Sequence, residues 1–143
     1  MAKAALALLG AAFGVSAVWL RPMRVEVNGM SMAPVLLPGD RLLAVRARRY
    51  RVGDLVVVPD PRAPSRPLVK RVAALPRSSV GVRGLMVEAG DGEVVVLGDN
   101  PSASTDSRTL GPLRLSDISG RCVYRYHPSD RAGVLRGGSA ALG

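Results

Sequence analysis

After residue 23 the sequence is a succession of short apolar runs, each ended by a turn signal. Seven runs stand out: VEV, RLLAV, DLVVV, PLVKRVAAL, GLMVEAG, GEVVVLG and RCVYRYH. Valine-rich runs of this length, bounded by Gly-Asp and Asp-Gly dipeptides, are typical of β-strands. Asp91-Gly92 predicts a hairpin between the two runs that flank it. Beyond residue 20 helical periodicity is limited to one turn near LSDIS. We therefore predict an all-β domain of about seven short strands.

We predict three parts along the chain. An N-terminal membrane anchor with its flank occupies residues 1–23, the β domain occupies residues 24–130, and residues 131–143, which are small and polar, form a disordered tail. A total of 143 residues leaves room for one folded core.

The anchor is predicted from residues 4–20, AALALLGAAFGVSAVWL, which carry no charge. A helix of this length spans about 25 Å, the short end for a membrane crossing. A cleaved signal peptide and a buried helix are the alternatives, since small residues before Trp19 imitate a cleavage site. Trp19 ahead of Arg21 favours an interfacial anchor, and hence a single-pass protein of the cell membrane. Arginines lie on the C-terminal side of this segment, so the sequence does not decide which side of the membrane holds the β domain. Their distribution mildly favours a domain that faces inward.

The basic residues are strongly biased towards arginine. Of 20 lysines and arginines, 18 are arginine and two are lysine, Lys3 and Lys70. Arginine keeps its proton in proteins, whereas a buried lysine can lose it. Lys70 is therefore the candidate for a removable proton in the folded part. The net charge of +9 comes with only 3% aromatic residues, so we expect contact with solvent or anionic lipid and no nucleic-acid partner.

Histidine and cysteine offer little for catalysis or metal binding. A Ser-His-Asp triad would need His127, the single histidine, whose neighbours are typical of a strand end. Cys122 is the single cysteine, so an internal disulfide is excluded and no Cys/His cluster suggests a metal. We expect neither a cofactor nor a metal.

Four segments together resemble the conserved boxes of type I signal peptidases, enzymes that use a Ser/Lys dyad. The segments are GMSMAPVL at 29–36, VGDLVVV at 52–58, LVKRVAALP at 68–76 and LGDNPSASTDSRTLGP at 97–112. The resemblance implies a compact signal-peptidase-like β domain. It also implies that Ser31 is the nucleophile and Lys70 the general base. Gly53 and Asp54 in the second box are interpreted as scaffold.

The chemistry explains why these residue types are needed. A serine hydroxyl is a weak nucleophile until a base takes its proton. Lysine, with an ordinary pKa of about 10.4, is protonated at neutral pH unless burial lowers that pKa. Strand periodicity places Lys70 on one face with Leu68 and Val72, a side that packs inward.

By resemblance, the last box supports the dyad. The Ser104 hydroxyl would hold the Lys70 amine, and Asp106 would form an ion pair with Arg108 that fixes the loop. The same box also matches the family at Gly98, Asp99, Asn100, Ser107 and Gly111.

The acyl intermediate needs donors for its oxyanion, and the Ser31 backbone N–H is one. Many bacterial members add a serine two residues before the nucleophile. Here that position is Gly29, as in the Gly-x-Ser-Met forms of mitochondrial inner-membrane peptidases, so a second donor is unassigned. Met32, and with it Met30, is expected beside the substrate pocket.

The predicted function is a membrane-anchored serine endopeptidase that removes an N-terminal signal or propeptide from precursor proteins. Only 27 residues separate Lys70 from Gly98, which resembles a minimal catalytic core. The short length, the LGDNP…STDSR…GP segment and the GRxxYRYHP ending most resemble nickel-type superoxide dismutase maturation proteases, so the substrate is either a general precursor or that propeptide. Membrane lipid is the other expected partner. Two alternatives are a LexA-like self-cleaving switch and a non-catalytic basic membrane-tethered binding module.

Overall fold

The computed structural model describes residues 21–138. Within them one short helix, α1, covers Ser107–Leu110, and single 3₁₀ turns cover Pro101–Ala103, Leu115–Asp117 and Ser129–Arg131. The rest of the regular structure is β-strand. The ten strands are β1 Met23–Glu26, β2 Arg41–Val45, β3 Leu55–Asp60, β4 Ala63–Ala74, β5 Ser78–Val82, β6 Leu85–Ala89, β7 Glu93–Leu97, β8 Leu113–Arg114, β9 Gly120–His127 and β10 Gly133–Val134.

The prediction of an all-β domain is confirmed, and each of the seven predicted runs forms a strand. Three further strands, β5, β8 and β10, were not predicted. Two of them are only two residues long and exist because a longer strand pairs with them. The third, SSVGV, has too little apolar content to stand out as a strand.

An antiparallel sheet in the order β1-β2-β9-β3-β4-β7-β8 organises the fold, with β10 also paired to β9. The long strand β4 lies between β3 and β7. Its register places Lys70 opposite Val56 and Arg71 opposite Leu97. Lys70 and Arg71 therefore lie in the middle of the sheet.

Both faces of β3 and β4 are buried in apolar clusters. Leu55, Val57 and Val69 pack on one face, whereas Val56 and Val72 pack on the other. Burial of each such side chain stabilises the fold by about 1.5–3 kcal/mol. Two buried faces explain why these strands are continuous apolar runs and do not alternate with polar residues.

The predicted hairpin at Asp91-Gly92 is wrong. Strand β6 pairs with β5 in a separate two-stranded sheet, while β7 pairs with β4 and β8. The tight turn is instead formed by Arg83 and Gly84, whose φ angles of 50° and 80° are both positive. Two consecutive positive φ angles are what a type I′ hairpin requires.

The disordered tail predicted from Arg131 is also wrong as far as Gly138. Strand β10 pairs with β9, and Leu135 packs against the core that contains Leu55 and Cys122. The Gly138 N–H then donates to the Gly53 carbonyl at 3.3 Å. These contacts extend the domain past its predicted end. Residues 139–143 lie outside the described residues.

The predicted membrane anchor, residues 4–20, also lies outside the described residues. None of the helices formed between residues 21 and 138 is long and apolar enough to cross a membrane.

Candidate active site

Ser31 lies in an irregular turn between β1 and β2 that is anchored in the core by its neighbours. Met32 is 1% exposed and Leu36 is fully buried in the cluster around Leu42. Two backbone hydrogen bonds close the turn, from the Ala33 N–H to Met30 and from the Leu36 N–H to Met32. The apolar anchors on the C-terminal side of Ser31 hold its backbone at the rim of a cleft.

The Gly98–Asn100 segment packs directly against this turn. The Asn100 N–H donates to the Ser31 carbonyl at 2.8 Å, and its Nδ2 donates to the Met30 carbonyl at 3.0 Å. A Cβ added at Gly98 would lie 2.7 Å from the Ser31 oxygen and 2.6 Å from Ser104 Cβ. Such contacts are too close for any side chain, so glycine permits the Ser31 turn and Ser104 to meet there.

Lys70 is 2% exposed, and its amine is hydrogen-bonded to Ser104. Lys70 Nζ donates to Ser104 Oγ at 3.0 Å, and Ser104 Oγ donates to Asp106 Oδ2 at 2.7 Å. Because the Ser104 proton is committed to Asp106, the hydroxyl oxygen can only accept from Lys70. A neutral Lys70 amine held in this way directs its lone pair elsewhere.

Burial lowers the pKa of Lys70 by disfavouring the ammonium form. The negative charge of Asp106 opposes this shift, and the positive charge of Arg108 adds to it. The net direction is towards the neutral amine, the form that a general base requires.

Asp106 stays ionised although it is buried. Burial acts to raise the pKa of its carboxyl, but hydrogen bonds from Arg108, Gly98 and Ser104 outweigh it, and the pKa is lowered overall. Arg108 Nε donates at 2.9 Å, and the Gly98 N–H donates at 2.7 Å. Asp106 also caps the N-terminus of α1 by accepting from the Arg108 N–H. One carboxylate thus connects Ser104, Gly98 and α1.

Asp99 contacts Arg71 and makes no hydrogen bond to Lys70. Arg71 Nε and Nη2 donate to the two Asp99 oxygens at 2.8 and 2.6 Å, and Arg71 Nη1 donates to the Gly53 carbonyl at 2.8 Å. Strand alternation turns Arg71 to the opposite face from Lys70. Sequence reasoning missed Arg71 as a partner, although a buried arginine within an apolar run is a signal for an acidic partner.

Ser31 and Lys70 line the same cleft. On the nucleophile side Gly29 and Met30 form the wall, and Met30 is 50% exposed. Met32, expected in this pocket, does not line it, because its side chain is buried in the core. Met30, which was also expected there, lines the cleft.

Two Ser31 groups are free of hydrogen bonds in the part of the chain that the structure describes. Within residues 21–138 its hydroxyl and its backbone N–H have no hydrogen-bond partner. Catalytic hydrogen bonds are often absent without substrate, so the open geometry is compatible with a dyad. Open space surrounds the Gly29 Cα, where a side chain would meet no atom within 4 Å.

The remaining candidates for catalysis lie away from this cleft. His127 ends β9 and lines no part of it. Burial raises the pKa of Cys122 to about 12, so its thiol is protonated at neutral pH. Among residues 21–138, His, Cys, Asp and Glu form no group of three or more that could hold a metal ion.

Comparison with known proteins shows which family the chain resembles. The chain matches the family described as "Signal peptidase, peptidase S26" over residues 1–89 and 84–127. It is 38% identical over 124 residues to the mitochondrial ATP-independent inner membrane protease subunit 1a of Arabidopsis thaliana, covering 78% of this chain and 74% of that protein.

Animal proteins match over similar lengths. Human mitochondrial inner membrane protease subunit 1 is 30% identical over 126 residues, covering 78% of this chain and 74% of the human protein. Mouse subunit 2 is 30% identical over 118 residues, covering 74% and 67%.

Proposed function

The chain belongs to the signal peptidase family, peptidase S26, and from this membership we propose a membrane-associated serine endopeptidase with Ser31 as nucleophile and Lys70 as general base. The observation that carries the proposal is the buried Lys70 amine. It is held at 3.0 Å by a hydroxyl already committed to Asp106, beside the cleft that Ser31 lines.

The reaction begins with proton transfer from Ser31 Oγ to the neutral Lys70 amine while Oγ attacks the scissile carbonyl carbon. The Ser31 N–H donates to the oxyanion of the tetrahedral intermediate. Lys70 then protonates the leaving amine, and the C–N bond breaks to leave an ester on Ser31. A water molecule loses a proton to Lys70 and attacks that ester. The Ser31–acyl bond breaks, the proton returns to Ser31 Oγ, and Ser104 keeps the amine in position throughout.

We propose precursor proteins as the substrates and a membrane as the place of action. The support is that the matched relatives are named as inner membrane proteases. The narrower proposal, removal of the propeptide of a nickel superoxide dismutase, rests on the short chain, the LGDNP…STDSR…GP segment and the GRxxYRYHP ending. The names of the relatives support the reaction class, but they say nothing about this substrate.

A cleavage assay of the full chain in detergent tests the proposal. Wild type is compared with Ser31→Ala on a secretory precursor with an Ala-x-Ala site and on a nickel superoxide dismutase precursor. The control is Ser79→Ala, which removes an exposed hydroxyl from β5. We expect cleavage by wild type and the control, and loss of cleavage with Ser31→Ala.

The substrate that is cut decides between the two roles. Cutting of the secretory precursor indicates a general signal peptidase, and cutting of the second precursor alone indicates a dedicated maturation protease. Equal cleavage by Ser31→Ala would remove Ser31 as the nucleophile. A Ser31-dependent cut in the chain itself, with both precursors intact, would support a self-cleaving switch instead.

A further inference from the structure

The loop that follows β2 is unusually basic. Residues 46–51, RARRYR, form what we call the arginine loop; it holds four arginines and no acidic residue. All four guanidinium-bearing residues are exposed, and none makes an ion pair with a residue between 21 and 138. Val52, the next residue, is 57% exposed. Unpaired cations beside an exposed apolar side chain are not needed to stabilise the fold.

The sheet register determines where this loop lies. Strands β1 and β2 are antiparallel with Met23 opposite Ala44, so the arginine loop leaves β2 at the end where the chain enters β1. Arg121 is paired with Val45 at the same end. A Cβ at Gly120 would meet Met23 Cε at 2.6 Å and the Val45 oxygen at 2.9 Å, so these strand ends are in close contact.

The chain that enters β1 at this end comes from an uncharged segment. Residues 4–20 carry no charge, and Arg21 follows them directly. The sheet end therefore combines Arg21, the arginine loop and Arg121, and the acidic residue beside them, Asp54, is already paired with Arg121 at 3.6 Å. The cleft lies towards the other end of β1, because Ser31 follows Glu26.

We propose that the arginine loop is a docking surface for anionic phospholipid headgroups. Guanidinium groups bind phosphate oxygens through two parallel hydrogen bonds, and cations beside a membrane-proximal segment are attracted to anionic lipid. Val52, the residue that follows the loop, adds an exposed apolar side chain beside it. The proposal concerns how the domain is held against the membrane and is separate from peptide cleavage in the cleft.

The test uses the full chain in vesicles and a fluorophore on the loop. Cys122 is buried and its pKa is raised to about 12, so a thiol-reactive dye will label Val52→Cys selectively. This substitution keeps all four loop arginines. Vesicles of phosphatidylcholine, with or without phosphatidylglycerol, carry a headgroup nitroxide that quenches the dye on contact.

We expect quenching to be about threefold stronger with phosphatidylglycerol, because anionic headgroups attract the arginines and keep the loop at the surface for more of the time. Added salt should weaken it. Arg48→Gln with Arg49→Gln should abolish the difference between the two vesicle types. The matched control is Arg77→Gln with Arg114→Gln, two exposed arginines outside the loop and away from β1, which should preserve it.

Equal quenching in both vesicle types, or an unchanged difference in the Arg48/Arg49 variant, would overturn the proposal. A dye that responds to a short DNA duplex and ignores phosphatidylglycerol would also overturn it, and would identify a nucleic-acid surface. The readout does not depend on peptide cleavage. An active protease without lipid-dependent quenching would therefore contradict this proposal and leave the proposed function intact.

Discussion

Lys70 derives its proposed role from an asymmetric environment. Its amine donates to Ser104 on one side, the cleft lies on another, and apolar side chains such as Val56 and Val72 surround its strand. Burial makes the ammonium costly, and the one fixed acceptor suits a neutral amine. The same burial that lowers the Lys70 pKa also holds its amine beside the cleft that Ser31 lines.

Lys70→Met should abolish cleavage and change how stability depends on pH. The pKa of Lys70 is lower in the folded state than in the unfolded state. At any pH between these two pKa values the unfolded chain therefore binds more protons than the folded chain. Over that window the free energy of unfolding of wild type should rise with pH relative to the variant. The difference is about 1.4 kcal/mol for each unit by which the pKa is lowered.

Urea unfolding at several pH values up to about 10.4, the ordinary lysine pKa, measures this difference. The variant should be relatively most stable at the low end of the range. A difference that does not change with pH would show that the Lys70 pKa is not lowered, whatever happens to activity.

The loop from Leu97 to Pro112 acts as one element that holds both halves of the site. Asn100 binds the backbone of the Ser31 turn, Ser104 binds Lys70, and Asp106 fixes Ser104. Arg108 neutralises Asp106 beside the amine. The polar residues of this segment are therefore distributed between the Ser31 turn and Lys70.

Arg108→Gln should move the acid limb of the kcat/KM pH profile to higher pH. Arg108 lowers the pKa of Lys70, and its removal also leaves Asp106, which raises that pKa, without its cationic partner. Lys70 in the variant should hold its proton to a higher pH. A pH profile of peptide cleavage measures the shift. In Arg108→Lys most of the shift should disappear, because the positive charge is present again.

An acid limb that stays in place, or moves to lower pH, would separate Arg108 from the titration of the base. Reduced activity with an unmoved limb would give Arg108 a structural role only.

Over the whole molecule, the C-terminal segment is part of the folded domain. Arg131 binds Asp40 through an ion pair, and Leu135 packs against the core. Arg125 Nε donates to the Arg131 carbonyl at 2.6 Å, while its Nη1 donates to Val35 in the nucleophile turn at 2.9 Å. The last strands thus reach the turn that presents Ser31.

A chain that ends at Pro128 should lose about 2–4 kcal/mol of stability relative to one that ends at Gly138. The lost terms are burial of Leu135 and the Asp40 ion pair. Its kcat should fall as well, because Arg125 loses the carbonyl that aligns it with Val35. Denaturant unfolding in detergent measures the stability, and steady-state cleavage measures kcat. Equal unfolding midpoints for the two chains would show that residues 129–138 do not stabilise the domain.

Local patterns were sufficient to identify the strands that contribute most to the core. The predictions failed where a strand is defined by its partner: β8 and β10 are too short to predict alone, and β6 pairs with β5 because of positive φ angles at Arg83 and Gly84. Both kinds of miss arise because pairing is a non-local property of the chain.

The sequence alone was enough to predict the all-β class, because strand runs are local, and its resemblance to the signal peptidase boxes singled out Ser31 and Lys70 as candidates. Tertiary contacts alone decided which methionine lines the cleft, which arginine pairs with Asp99, and which amide holds the Ser31 turn. Each of these depends on what packs across from the residue: Met32 meets the core, Arg71 meets Asp99, and Asn100 meets the Ser31 backbone. Packing brings together residues that are far apart along the chain, so no local pattern predicts it.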